Sequence, residues 1–208
     1  MESCDTIALG RIRAKLTELR KLDRSYSLFG ASSHQYRLGS ILTEAEVVKH
    51  ERRLGLSLPV EYRHFVMEVG HGGAGPFYGL FPLDGSDPDD ITDLEKTRKA
   101  FRWAEPFNPM EWENPRAEDD VWLDEDVDEG EKPAVFLIVP GALYICHHGC
   151  ALRSFLVVNG RGLGEVWMDR QADNEGLLPE CGEDGKRLTF LKWYERWLDD
   201  GISKLKKR

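Results

Sequence analysis

Long hydrophobic runs are missing from this chain. Nowhere do about 18 consecutive apolar residues occur, the minimum that a membrane-spanning helix requires. The opening stretch MESCDTIALGRIRAKL has charges but no apolar core behind them, so a secretory leader is not expected. Cysteine is scarce as well. Cys4, Cys146, Cys150 and Cys181 are irregularly spaced in a chain of 208 residues, long enough to bury a core without disulfide staples. Together these absences lead us to expect a reduced, cytoplasmic protein. No internal repeat, P-loop, nucleophile elbow or metalloprotease helix is present.

Positive charge is also scarce in the middle of the chain. Between Asp84 and Glu131 there are 18 Asp/Glu against 5 Lys/Arg, so this insert carries −13 of a chain whose net charge is −9. Residues 201–208 carry +4 and the first 24 residues +2. Such a distribution argues against direct nucleic-acid binding and against an anionic membrane surface, and it suits a basic protein partner. Asp119, Asp120, Asp124, Glu125, Asp126, Asp128 and Glu129 form the densest cluster. They are the candidate partner-binding residues. The plain alternative is a solvated loop that keeps the protein soluble.

Hydrophobic spacing places the elements. Leu9, Ile12, Leu16 and Leu19 recur at helical spacing within 5–24, and the polar stretch 25–40 reads as a linker. Thr43 with Glu46 three residues on fits a capping box, and Gly55 supplies the stop. Pro59 opens a second helix with the apolar stripe Tyr62, Phe65, Val66 and Val69, closed by Gly70. Residues 77–83 read as a strand, 92–104 as a short helix, and 118–131 as a mobile loop broken off by prolines. Short β-prone runs follow at 134–146, 152–158 and 165–168, the last two joined by the glycine-rich turn 159–164. Phe190, Trp193, Tyr194, Trp197 and Leu198 then stripe a closing helix over 188–205. Hairpins rather than βαβ crossovers indicate an α+β fold with a central, mainly antiparallel sheet flanked by helices. Tyr62, Phe65, Leu156, Val158, Trp167, Trp193 and Trp197 are expected to share one core.

Chemistry-bearing residues are few. Cys146, His147, His148 and Cys150 have the spacing of half a zinc site, but no second Cys/His pair follows at a suitable distance. On a strand, His147 and His148 would point to opposite faces. Glu61-x-x-His64 resembles half of a di-iron motif without its matching half, and reads as surface polarity. Gly160-x-Gly162-x-Gly164 joins two strands, whereas a dinucleotide site needs a strand, a loop and a helix N-terminus. No catalytic residue, cofactor or metal is therefore assigned. A metal-dependent enzyme centred on Cys146, His148 and Cys150 stands as the alternative from a different functional class.

Three blocks together resemble the SUKH superfamily, in its branch similar to the yeast cell-wall assembly regulator. The first is Leu58-Pro59-x-x-Tyr62-Arg63-x-Phe65, followed by Gly70-x-Gly72-Gly73-Ala74-Gly75-Pro76 and Tyr78-Gly79-Leu80-Phe81-Pro82-Leu83. The second is His148-Gly149-Cys150, then Leu156-Val157-Val158-x-Gly160 and Gly164-Glu165-Val166-Trp167. The third is Phe190-Leu191-x-Trp193-Tyr194-x-x-Trp197-Leu198. One departure is Ala151-Leu152-Arg153 where the pattern often continues with Gly and an aromatic residue. The resemblance implies a SUKH-like domain over 41–205 with the acidic insert at 84–131, preceded by an N-terminal helix and linker over 1–40. It also implies a non-catalytic immunity protein that neutralises a polymorphic or contact-dependent toxin, such as a basic nuclease domain, by direct binding. In fungal relatives the implied role is a regulatory interaction scaffold, which is the alternative here.

Overall fold

The computed structural model describes residues 4–111, 121–124 and 134–207. Helices α1 (Cys4–Leu22), α2 (Ala31–His34), α3 (Glu44–Leu54), α4 (Val60–Glu68) and α5 (Leu94–Thr97) precede the strands, and α6 (Phe190–Lys206) closes the chain. Strands β1 (Val121–Asp124) and β2 (Ala134–Leu137) form an antiparallel ribbon. Strands β3 (Ala142–Gly149), β4 (Leu152–Val157), β5 (Val166–Arg170) and β6 (Gly176–Pro179) form an antiparallel sheet in that order. The fold is α+β, as expected: a four-stranded antiparallel sheet flanked by helices, with an additional helix at the N-terminus.

Successive strand residues face opposite sides of a sheet, and here both sides are apolar. Leu143, Ile145, Leu156, Val158 and Val166 point into the larger core with α1, α3, α4 and α6. Ala142, Tyr144, Phe155, Val157 and Trp167 point the other way, into a second core. That second face is covered by Phe81, Phe101, Leu137, Val139 and Leu177, with Trp103 and Phe107 packed against them. Trp167 therefore does not share a core with Tyr62, Phe65, Leu156, Val158 and Trp193. The register decides this, because Val166 pairs with Leu156 and Trp167 with Phe155. Trp197 packs against the larger core but is only partly buried.

Local chemistry sets the helix ends. The Thr43 side chain accepts from the Glu46 backbone N–H, the Thr43 N–H donates to Glu46 Oε2 at 2.8 Å, and Gly55 takes a left-handed conformation. The start of α6 is capped differently. Thr189 makes no side-chain cap of its own; Glu61 on α4 accepts from Thr189 Oγ1 and from the Leu191 N–H, each at 3.1 Å. A carboxylate there also meets the positive end of the helix dipole. Glu61, expected to be a solvated side chain, is instead a cap supplied by a neighbouring helix. The α4–α6 interface continues with Phe190 against Tyr62 and Phe65, ring centroids 4.7 and 5.0 Å apart. Between α1 and α6, Arg11 grips Glu195 through two bonds of 2.8 and 2.9 Å, and Lys15 bridges Glu195 and Asp199.

Four local expectations change. Residues 77–83 are not a strand: Leu80 makes isolated bridges to Gly73 and Cys146, and Pro82 interrupts any continuation. The helix expected over 92–104 is the single turn α5, capped by Asp93, because Phe101 leaves it to pair with Gly160. Gly160 has φ +94°, and a Cβ on it would lie 2.5 Å from the Phe101 backbone, so only glycine admits this approach. Residues 25–40 are more than a polar linker. They contain α2, and buried Asp23 accepts from Tyr36 Oη at 2.6 Å and from the backbone of Ser27 and Leu28. Within 118–131, residues 121–124 form β1 rather than a loop, and the rest lie outside the described residues.

Trp193 is 2% exposed. Its replacement by Ala is expected to cost about 3–5 kcal/mol, read as a lower urea midpoint at unchanged slope. Glu61→Ala removes two capping acceptors and is expected to cost about 1–2 kcal/mol; an unchanged midpoint would remove Glu61 from the capping of α6.

Candidate protein-interaction surface

The β3–β4 hairpin carries the Cys/His cluster, and its geometry separates the members. The Cys146 side chain is fully buried, where its Sγ donates to the Pro76 carbonyl at 3.0 Å, and burial pushes the thiol pKa up. The His148 ring stacks on Phe77 with centroids 3.6 Å apart, and its Nε2 lies 2.7 Å from Ser154 Oγ. Cys150 is exposed at the turn, with φ +50°. His147 faces elsewhere, stacked on Tyr78 at 5.6 Å with its Nδ1 3.5 Å from Asp89. Among the described residues no group of three His, Cys, Asp or Glu is arranged to hold a metal ion. A protonated, buried Cys146 is also a poor nucleophile.

Around this hairpin lies an aromatic surface. Phe29 is 66% exposed and Tyr78 43% exposed, and their rings meet edge to face at 5.4 Å. Phe29 also touches Phe77 at 6.3 Å. Beside them a groove of about 230 Å³ runs along α6, walled by Leu28, Phe29, Pro76, Phe77, Trp193 and Trp197. Its polar rim is Glu180, Arg196, Asp200 and Lys204. Glu180 is tied down by Arg196 and accepts from Trp193 Nε1 at 3.3 Å. Exposed aromatics rimmed by charge are the usual composition of a protein-binding face. Sequence reasoning missed Phe29 because it sits in a polar stretch; the available signal was an apolar Leu28-Phe29 pair directly before Gly30.

The acidic insert reaches the same hairpin through Asp89, whose carboxylate lies beside His147. Asp84, Asp87, Asp90 and Asp93 each accept backbone N–H bonds from residues two or three further on, which shapes the 84–95 loop. Burial pushes the Asp90 carboxyl up. Of the predicted partner-binding residues, Asp124 ends β1 opposite Ala134, with only its backbone described. Asp119, Asp120, Glu125, Asp126, Asp128 and Glu129 lie outside the described residues.

The buried imidazoles set a pH dependence. Burial pushes His148 down to about 4, reinforced by His147 and Arg170. Burial also pushes His34 down to about 4, partly offset by a hydrogen bond to the Gly75 backbone. His34 Nδ1 accepts from the Tyr36 N–H at 3.0 Å, and its ring packs edge-on against Trp197 at 5.9 Å. Both are neutral in the fold but protonate near pH 6.5 when unfolded. Their contribution is therefore complete above pH 6.5 and lost as pH falls to about 4. The raised carboxyls of Asp90 and Asp169 take up protons more readily in the folded state and offset part of this loss. Urea midpoints should fall between pH 7 and 4.5 by the equivalent of several kcal/mol at most, and His148→Gln should flatten the slope.

The SMI1 / KNR4 family (SUKH-1) model matches residues 41–177. No curated protein and no solved structure shows a significant similarity to the chain. The matched range includes the capped helix α3, the aromatic helix α4, the glycine-rich exit and the β3–β5 strands. Helices α1 and α6 fall outside it, although they pack into the same core.

Proposed function

The chain belongs to the SMI1 / KNR4 family (SUKH-1), and from that premise we propose that it is a non-catalytic immunity-type protein that neutralises a toxin by direct binding. The family is known for immunity proteins and is generally non-catalytic. Among the described residues no helix is long and apolar enough to cross a membrane, and action in the cytoplasm is part of the proposal. The observation that carries the binding reading is the exposed aromatic face of Phe29 and Tyr78 beside the acidic 84–95 loop. Aromatic anchors supply contact area at low entropic cost, and the charge favours a basic partner such as a nuclease domain. Occluding the toxin's active surface requires no chemistry from this chain. A regulatory scaffold without a toxin partner is the alternative reading, supported by the same face and the same family.

A toxin-like gene beside this one separates the two. Co-expression should restore growth to cells making that toxin; full toxicity in the presence of the folded protein would refute immunity. The seven acids Asp119, Asp120, Asp124, Glu125, Asp126, Asp128 and Glu129 are proposed to steer the encounter. Their replacement by Asn or Gln should slow association several-fold at low salt, with little change in dissociation or melting temperature. Association insensitive to both the substitutions and ionic strength would leave the segment as a solubilising tether.

A further inference from the structure

A second cleft of about 390 Å³ opens between the acidic loop, β2 and the hairpin tip. Its walls are Ile91, Phe136, Ile138 and Ala151, with Asp93 and Arg153 at the rim. Ile91 is 47% exposed and Ile138 40% exposed, so two large aliphatic side chains of this lining stand open to water. That volume is at the small end of ligand pockets, which span about 300–1,000 Å³. It has room for an apolar side chain and the backbone that presents it.

The floor is rigid and already satisfied. Tyr144 Oη donates to Asp169 Oδ2 at 2.6 Å, and Asp169 Oδ1 accepts from the Gln171 N–H and Nε2. Gln171 then makes a two-way bond with β2: its Oε1 accepts from the Leu137 N–H at 2.6 Å, and its Nε2 donates to the Leu137 carbonyl at 3.1 Å. One glutamine pins the ribbon that forms a wall of the cleft, so the walls stand in place before any partner arrives. Arg153 braces the other side, donating to the carbonyls of Asp89 and Ala151.

Charge identifies the occupant. In the lining Asp93 and Asp169 stand against Arg153, and the loop beside it adds Asp84, Asp87, Asp89, Asp90 and Glu95 before Lys96, Arg98 and Lys99 follow. This field repels phosphate backbones and anionic lipid headgroups, and it attracts lysine and arginine. We propose that this cleft docks a basic segment of a protein partner, which seats one apolar side chain between Ile91 and Ile138 while flanking lysines or arginines meet the acidic loop. The inference rests on the binding reading above and adds to its aromatic face a second contact, of stated partner chemistry.

Its test needs no toxin. The full chain, labelled at isoleucine methyl groups, is titrated with three blocked pentapeptides followed by NMR: Lys-Arg-Leu-Lys-Arg, the same with Ser for Leu, and Glu-Glu-Leu-Glu-Glu. The leucine-centred basic peptide should shift the Ile91 and Ile138 methyls. The serine version should bind at least about tenfold more weakly, since burying a leucine contributes about 1.5–3 kcal/mol. The acidic peptide should leave both methyls unmoved. The double variant Ile91→Ser, Ile138→Ser should lose the preference for leucine while keeping its melting temperature, because both side chains are exposed. Equal affinity for the leucine and serine peptides would overturn the proposal, as would shifts confined to the α6 groove or none at all. Growth rescue with a failed peptide titration would place the toxin on another face. A successful titration with no rescue would retire the toxin and keep the cleft.

Discussion

A sheet with apolar side chains on both faces must be covered twice, and most of this structure follows from that constraint. Burial contributes about 25 cal/mol per Å² of apolar surface, so neither Leu156 on one side nor Trp167 on the other tolerates water. Helices α1, α3, α4 and α6 cover the first face as one aromatic and aliphatic layer. Among the described residues no helix contributes to the apolar layer over the second face. Residues of the insert, Phe101 and Trp103 and Phe107, are laid across it instead. They are fastened by backbone bonds from Phe101 to Asn159, from Arg161 to Phe101 and mutually between Phe107 and Leu177.

The acidic insert therefore has two physical roles in one segment. Phe101, Trp103 and Phe107 belong to the core, whereas Asp84, Asp89 and Glu95 are exposed. This coupling explains how so charged a stretch is tolerated near the sheet: the loop 84–95 is shaped by short-range acceptor bonds from its own aspartates, and the ribbon is held by Gln171. The hairpin tip between the two apolar recesses is set by the bulges of β3 and by the positive φ of Cys150 and Ala151. Ala151, Leu152 and Arg153 lie at the same tip. Ala151 and Arg153 line the second cleft. A change in those residues re-shapes the rim of that cleft without touching the buried residues of either core.

The side chains with the strongest chemical promise are spent on structure. Cys146 is a buried small side chain bonded to Pro76, His148 and His34 are neutral rings packed on aromatics, and Glu61 caps a helix. Asp169 and Tyr144 are a buried pair that holds the sheet to its neighbours. Among the described residues the large apolar side chains left exposed include Phe29, Tyr78, Ile91 and Ile138.

Much of the fold was legible because its signals are local. The capping box at Thr43 and Glu46, the stop at Gly55, the stripe from Phe190 to Leu198 and the turn at 159–164 each depend on residues within one or two turns of each other, and they appear where sequence spacing puts them. The α+β class follows from their order. Tertiary structure decided the rest, because those choices depend on partners distant in sequence. Residues 77–83 are β-prone but find only the bridges to Gly73 and Cys146, so no strand forms. Residues 98–104 could continue α5, yet covering Trp167 and Phe155 stabilises Phe101 more than further helical turns would. Which face receives Trp167 depends on the pairing of Val166 with Leu156, a register that composition does not reveal. The exposed Phe29 and the cleft between Ile91 and Ile138 exist only because chain segments far apart in sequence meet there, and no spacing within any one segment encodes that meeting.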